Sequence, residues 1–118
     1  MIGWLGRKLN SEEMMEKIEE EGRVAVLYSP GFGAGWSTWA NDDQKEALCM
    51  DARIVGPFVA GDKDAAVAAA VAMFPDLYTG GANDLEVMWI EKGKAFEVEE
   101  YDGRESVHVL GDRRYLVA

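Results

Sequence analysis

Cysteine is almost missing from this chain: Cys49 stands alone among 118 residues. No internal disulfide can form and no thiol cluster can hold a metal, which suits a reducing cytoplasm. Histidine is equally scarce, with only His108, too little for a good zinc site. Cations are outnumbered: 12 Lys and Arg against 22 Asp and Glu give a formal net charge of −10. Nucleic acid is therefore excluded as the expected partner, because neutralising phosphates takes clustered cations. An acidic surface is most simply a solubilising one; it also suits imitation of nucleic acid in the basic groove of another protein. No apolar run approaches a membrane span, and residues 1–8 are too short and broken for a signal peptide.

Apolar residues make up 48% and aromatics 10%, so the chain is expected to be globular, one domain over 1–118. Ser11 is placed to cap a helix carrying Met14, Met15 and Ile18, with Gly22 as its stop. Residues 23–28 are an apolar run that reads as a buried central strand. Asn41 or Asp42 opens a second helix to about Met50, with Ala47, Leu48 and Cys49 inward; Cys49 reads as a structural thiol. Gly56-Pro57 is expected to kink or split whatever helix follows Asp51. Asp62 or Asp64 caps an alanine-rich helix that Pro75 stops after Phe74.

From Leu85 the period changes to two. Lys92-Gly93 and Asp102-Gly103 are two-residue hairpin signals, and Gly111-Asp112 is a weaker one. Turning at both places puts Val87, Trp89, Phe96, Val98, Val107 and Val109 on one face. Glu97 then opposes His108, and residues 113–117 supply a last strand. The expected fold is α+β: an antiparallel β-meander plus one N-proximal strand, with three to four helices packed on the sheet.

Between the first strand and the second helix lies Ser29-Pro30-Gly31-Phe32-Gly33-Ala34-Gly35-Trp36-Ser37-Thr38-Trp39. It lacks both the dinucleotide spacing and the glycine-lysine-hydroxyl ending of phosphate loops. Asp42 and Asp43 after it would repel an anion at that helix start. What remains is bare backbone amide, two short hydroxyls and two flat aromatic faces, suited to a ring with a polar edge. One of the two tryptophans is expected in the core. Tyr78-Thr79-Gly80-Gly81 repeats the combination, although an ordinary connection would also account for it. At the hairpin tip Tyr101 opposes Arg104 and Glu100 opposes Glu105. That like-charge pair calls for something positive nearby, or for water at a frayed end. The candidate ligand-binding residues are thus Ser29, Gly31, Phe32, Gly33, Gly35, Trp36, Ser37, Thr38, Trp39, Tyr78, Thr79, Gly80, Gly81, Tyr101, Arg104 and Glu105. No catalytic residue, metal site or cofactor is assigned, and a second subunit completing so small a site is left open.

These motifs, with Glu100-Tyr101-Asp102-Gly103-Arg104-Glu105, resemble a family of small proteins found in bacteriophages and prophages, from about Val24 onward. The resemblance brings no catalytic residue with it. It implies a role in the cytoplasm of an infected bacterial host, countering host defence. It implies two modes: foremost a sponge that sequesters a nucleotide-derived immune signal without cleaving it, and as the alternative an acidic inhibitor that binds a host defence protein. The paired carboxylates themselves leave a further alternative, a small hydrolase using Glu100 and Glu105.

Overall fold

A computed structural model of the chain describes residues 15–31 and 35–110. Among them the order is β1 (Glu19–Glu20), β2 (Arg23–Tyr28), α1 (Asp42–Met50), α2 (Ala52–Val59), α3 (Lys63–Met73), β3 (Glu86–Glu91), β4 (Phe96–Tyr101) and β5 (Arg104–Val109). The class is α+β, with antiparallel strands in two sheets: β1-β2-β3, and the hairpin β4-β5.

β2 is the central strand its composition predicts, with Val24 through Leu27 at most 7% exposed. Alternation sends Ala25 and Leu27 to one face and Val24 and Val26 to the other. On the first face Val87 and Trp89 of β3 lie beside Leu27 and Ala25, and Ile54, Val55 and Ala70 of α2 and α3 cover them. On the second, Met88 and Ile90 lie beside Val26 and Val24, under Cys49, Met50 and the apolar side of the hairpin, Phe96, Val98 and Val107. Each Val, Leu or Ile buried in this way contributes about 1.5–3 kcal/mol.

The hairpin tip register is as expected, from Tyr101 against Arg104 to Phe96 against Val109. Asp102 and Gly103 both take positive φ, 56° and 85°, as a tight two-residue turn requires. The ladder expected across Lys92-Gly93 does not form. There Gly93 has φ 93° but Lys92 is not left-handed, and Lys94 N–H closes a simple turn on the Glu91 carbonyl at 3.1 Å. β3 instead pairs with β2, so the expected meander is divided. Val87 and Trp89 consequently face the helices, while Phe96, Val98 and Val107 cover the opposite face of the same sheet.

A second correction concerns the first expected helix. Ser11 and Met14 lie outside the described residues, but Met15 to Glu20 is not helical. Glu21 and Gly22, with φ 51° and 79°, form the left-handed turn that folds β1 onto β2. Ile18 and Met15 pack against opposite clusters, which suits an extended segment and not a single helical stripe. The Glu16 and Ile18 carbonyls accept from Ala52 and Ala25 at 2.7 and 3.0 Å, tying this segment to α2 and β2.

The helices follow their caps. α1 starts after Asn41 and buries Leu48, Cys49 and Met50. Gly56-Pro57 does not split α2, which runs through both residues and ends two residues later. Pro57 removes one bond, the one an N–H there would give the Arg53 carbonyl, while the Val55 and Ala60 N–H groups still reach Asp51 and Gly56 at 2.8 and 3.0 Å. Asp51 caps α2, accepting from Arg53 N–H at 2.8 Å, and the Arg53 guanidinium grips both carboxylate oxygens at 3.0 and 2.8 Å. The Arg53 side chain first, then its backbone N–H, hold the Asp51 carboxyl below the ordinary range against the burial that pushes it up. Asp62 caps α3 through Ala65 N–H at 3.0 Å. α3 buries only Ala66 and Ala70, so its backbone lies close to its neighbours. No helix among the described residues is long and apolar enough to cross a membrane.

Candidate functional site

Two of the three sequence motifs meet at one buried carboxylate, and the third, through Gly81, packs on the loop that holds it. Glu105, in β5, is 2% exposed. Its Oε2 accepts from the backbone N–H groups of Trp36 at 2.5 Å, Ser37 at 3.0 Å and Thr38 at 3.0 Å, and from the Thr38 hydroxyl at 2.7 Å. Its Oε1 accepts from Ser29 N–H at 2.9 Å, and its own N–H donates to the Ser29 carbonyl at 2.8 Å. Successive N–H groups turned toward one point form an anion-binding nest. This chain fills the nest with its own side chain. The charge conflict at Glu100 and Glu105 is relieved in the same way: Glu105 turns into the nest, while Glu100 accepts from Gly103 N–H at 2.6 Å in the turn. Four amides and one hydroxyl hold Glu105.

Glycine is needed where the loops approach. Gly35 has φ 83°, and a Cβ there would lie 2.7 Å from Thr38 Oγ1 and 3.0 Å from Glu105 Oε2. Gly81 abuts Gly35: a Cβ on Gly81 would meet the Gly35 carbonyl oxygen at 2.3 Å. The Ser29 hydroxyl donates to the Gly81 carbonyl at 2.7 Å, so the two loops are bonded as well as packed. Gly31 leaves its space to Asp84, in the short 3-10 turn Ala82–Asp84.

The tryptophans separate as expected of one of them. Trp36 is 1% exposed in the core, and its indole N–H donates to the Leu48 carbonyl at 2.8 Å. Trp39 is 62% exposed. Tyr78, also 62% exposed, folds its ring over Gly80, and Tyr101 at the hairpin tip is 84% exposed. Trp39 approaches Gly35, Gly35 touches Gly81, and Tyr78 covers Gly80, so two of these aromatics border one loop junction. Tyr101 and Arg104 are opposed in register beside Glu105. Thr79 contributes its carbonyl, which accepts from Ala82 N–H at 3.1 Å. Phe32 and Gly33 lie outside the described residues. Sequence reading missed Asp84 as the packing partner of Gly31 and Leu48 as the acceptor for Trp36, since each pairing joins segments far apart in sequence.

Cys49 lies behind the junction, its thiol donating to the Ser37 hydroxyl at 3.2 Å. Burial pushes the thiol up to about 11. A group with so little thiolate near neutral pH is a poor nucleophile. Reaction with an aromatic disulfide reagent at pH 8 is expected to be at least a hundredfold slower in the native protein than in urea. Equal rates would show the thiol to be open. His108 is also satisfied locally, though not by Glu97, which opposes it in register. Its Nε2 lies 2.9 Å from Ser106 Oγ and 3.3 Å from Glu99 Oε1.

A cleft of about 1050 Å³ is lined in part by Ser37 and Thr38, with apolar walls that include Val24, Val26, Met50 and Ile90. Lys17, Lys45, Lys92 and Lys94 line it, but so do Glu16, Glu19, Asp42, Glu46, Glu91 and Glu97. Lys45 pairs with Asp42 and Lys92 with Glu19, each at 3.3 Å. Acids thus outnumber lysines, and the cleft offers an anionic ligand no net attraction. Among the described residues no cluster of His, Cys, Asp and Glu is arranged to hold a metal ion. Comparison with protein-family models, curated proteins and solved structures gives no match.

Proposed function

We propose that the chain is a non-enzymatic binding protein that captures a small nucleotide-like molecule where the two glycine loops meet the hairpin tip. On this reading it is a sponge of the phage anti-defence kind, holding a nucleotide-derived immune signal in the host cytoplasm without cleaving it. One observation carries the proposal. The polar groups of the junction turn inward onto Glu105, while Trp39 and Tyr78, which border it, are each left 62% exposed. An aromatic face presented to a base contributes about 1–3 kcal/mol of stacking. Retention without cleavage is supported by the state of the paired carboxylates: Glu105 accepts five hydrogen bonds, and Glu100 is engaged by the turn. Neither is poised to activate water, which weighs against the hydrolase reading.

The test is incubation of the protein with extracts from infected cells, re-isolation, heat release and mass spectrometry of what was held. An intact nucleotide-like molecule is expected, and Trp39→Ala with Tyr78→Ala is expected to reduce its recovery at least tenfold. A chemically altered molecule would instead indicate an enzyme. Recovery unaffected by the double substitution would rule out the aromatic rim. The net charge of −10 favours one second reading, an inhibitor that docks these aromatics on a basic surface of a host defence protein. A host protein captured by the wild type, and released when surface acids are neutralised, would select it.

A further inference from the structure

We propose that the nest around Glu105 is a built oxyanion site, plugged by the chain's own carboxylate, and that withdrawal of this plug opens it to a phosphate monoester or carboxylate from outside. Five donors converge on one carboxyl group, four of them on a single oxygen: the N–H groups of Trp36, Ser37 and Thr38 and the Thr38 hydroxyl on Oε2, with Ser29 N–H on Oε1. Burying a carboxylate takes partners, but several donors focused on one oxygen is the arrangement that binds anions from solution. The donors are uncharged, so the site does not draw on the cations that acids outnumber in this chain. Gly35 supplies the left-handed backbone that turns the amides inward, and its missing Cβ leaves the space that Oε2 occupies.

The plug is held to the body by side-chain packing and by the bonds of Glu105, not by a strand ladder. β4 and β5 form their own sheet, and no ladder joins them to β1-β2-β3 among the described residues. Glu105 is carried near the tip of that hairpin, one residue beyond the Asp102-Gly103 turn and Arg104. Backing the tip away breaks the bond from Glu105 N–H to the Ser29 carbonyl and the five bonds to the carboxylate, and no bond within either sheet. The inference goes beyond ring capture at the aromatic rim and does not depend on it. Where both hold, the nest receives the phosphate of the molecule whose base the rim stacks.

The test is Glu105→Ala titrated with sodium formate and with inorganic phosphate, against sodium chloride at matched ionic strength and against the wild type in the same salts. Formate reports a carboxylate guest and phosphate a phosphoryl guest. Either is expected to raise the thermal midpoint of the variant saturably, by about 5 °C more than it raises that of the wild type. Midpoints that follow chloride and the wild type in both salts would overturn the proposal. If Glu105→Ala is unfolded in chloride, far-ultraviolet circular dichroism is read after refolding in each salt. Recovery of native signal in formate or phosphate alone supports the site, and no recovery in either overturns it. Loss of signal capture by the aromatic double variant leaves this result unchanged, so the two readings fail separately.

Discussion

Glu105→Ala is expected to destabilise the protein by about 4 kcal/mol, lowering the thermal midpoint by about 15 °C. The side chain removed is the acceptor for the N–H groups of Ser29, Trp36, Ser37 and Thr38, and all but Thr38 belong to buried residues. A buried donor left without an acceptor costs about 1–3 kcal/mol, and water entering the new space recovers part of that. Glu105→Gln separates charge from shape. Its amide oxygen can replace Oε2, but its NH₂ then faces Ser29 N–H, donor against donor. That variant is expected to lose about 2 kcal/mol, midway between wild type and alanine. Urea unfolding followed by tryptophan fluorescence measures both, Trp36 being the buried reporter beside the nest. A loss below about 1 kcal/mol for Glu105→Ala would show that the nest does not hold the loop.

The hairpin that carries Glu105 was legible because its turn and its side chains agree. Asp102-Gly103 allows positive φ at both central positions, and the valines then align in register. The same test misleads at Lys92-Gly93, where glycine alone is left-handed, and it overlooks Glu21-Gly22, where both residues are. Sequence favours lysine and glutamate about equally at such a position; the tertiary context decides, since β2 offers its edges to Glu19–Glu20 and to β3. Within the site, the glycines and aromatics were readable as a group, and Gly35 and Gly81 do meet. The role of Glu105 was not. A glutamate opposite another glutamate near a turn reads as a solvated charge, and only the path of residues 35–38 turns four donors onto its Oε2. Trp36 and Trp39 likewise share a composition and a loop, and are separated only by which of them reaches the Leu48 carbonyl in the core.

Gly81→Ala is expected to destabilise the protein by about 3 kcal/mol. The backbone there is ordinary, with φ −92° and ψ 6°, so alanine meets no conformational objection. The cost is entirely one of contact: the new Cβ would lie 2.3 Å from the Gly35 carbonyl oxygen and 2.9 Å from Ser29 Oγ. The first is backbone and the second is tied to the Gly81 carbonyl, so the loops must part. Parting them stretches the bond from the Ser29 hydroxyl to the Gly81 carbonyl and shifts Gly35, whose neighbours Trp36 to Thr38 donate to Glu105. Gly22→Ala is the control: φ is 79° but no heavy atom lies within 4 Å, so only the left-handed backbone penalty of about 1 kcal/mol is expected. Because Gly81→Ala and Glu105→Ala disrupt the same junction, the double variant is expected to lose at least 1 kcal/mol less than the sum of the singles. Strict additivity in urea unfolding would mean that the second glycine loop and the carboxylate nest are independent. The aromatic rim would then be two unrelated surfaces instead of one site.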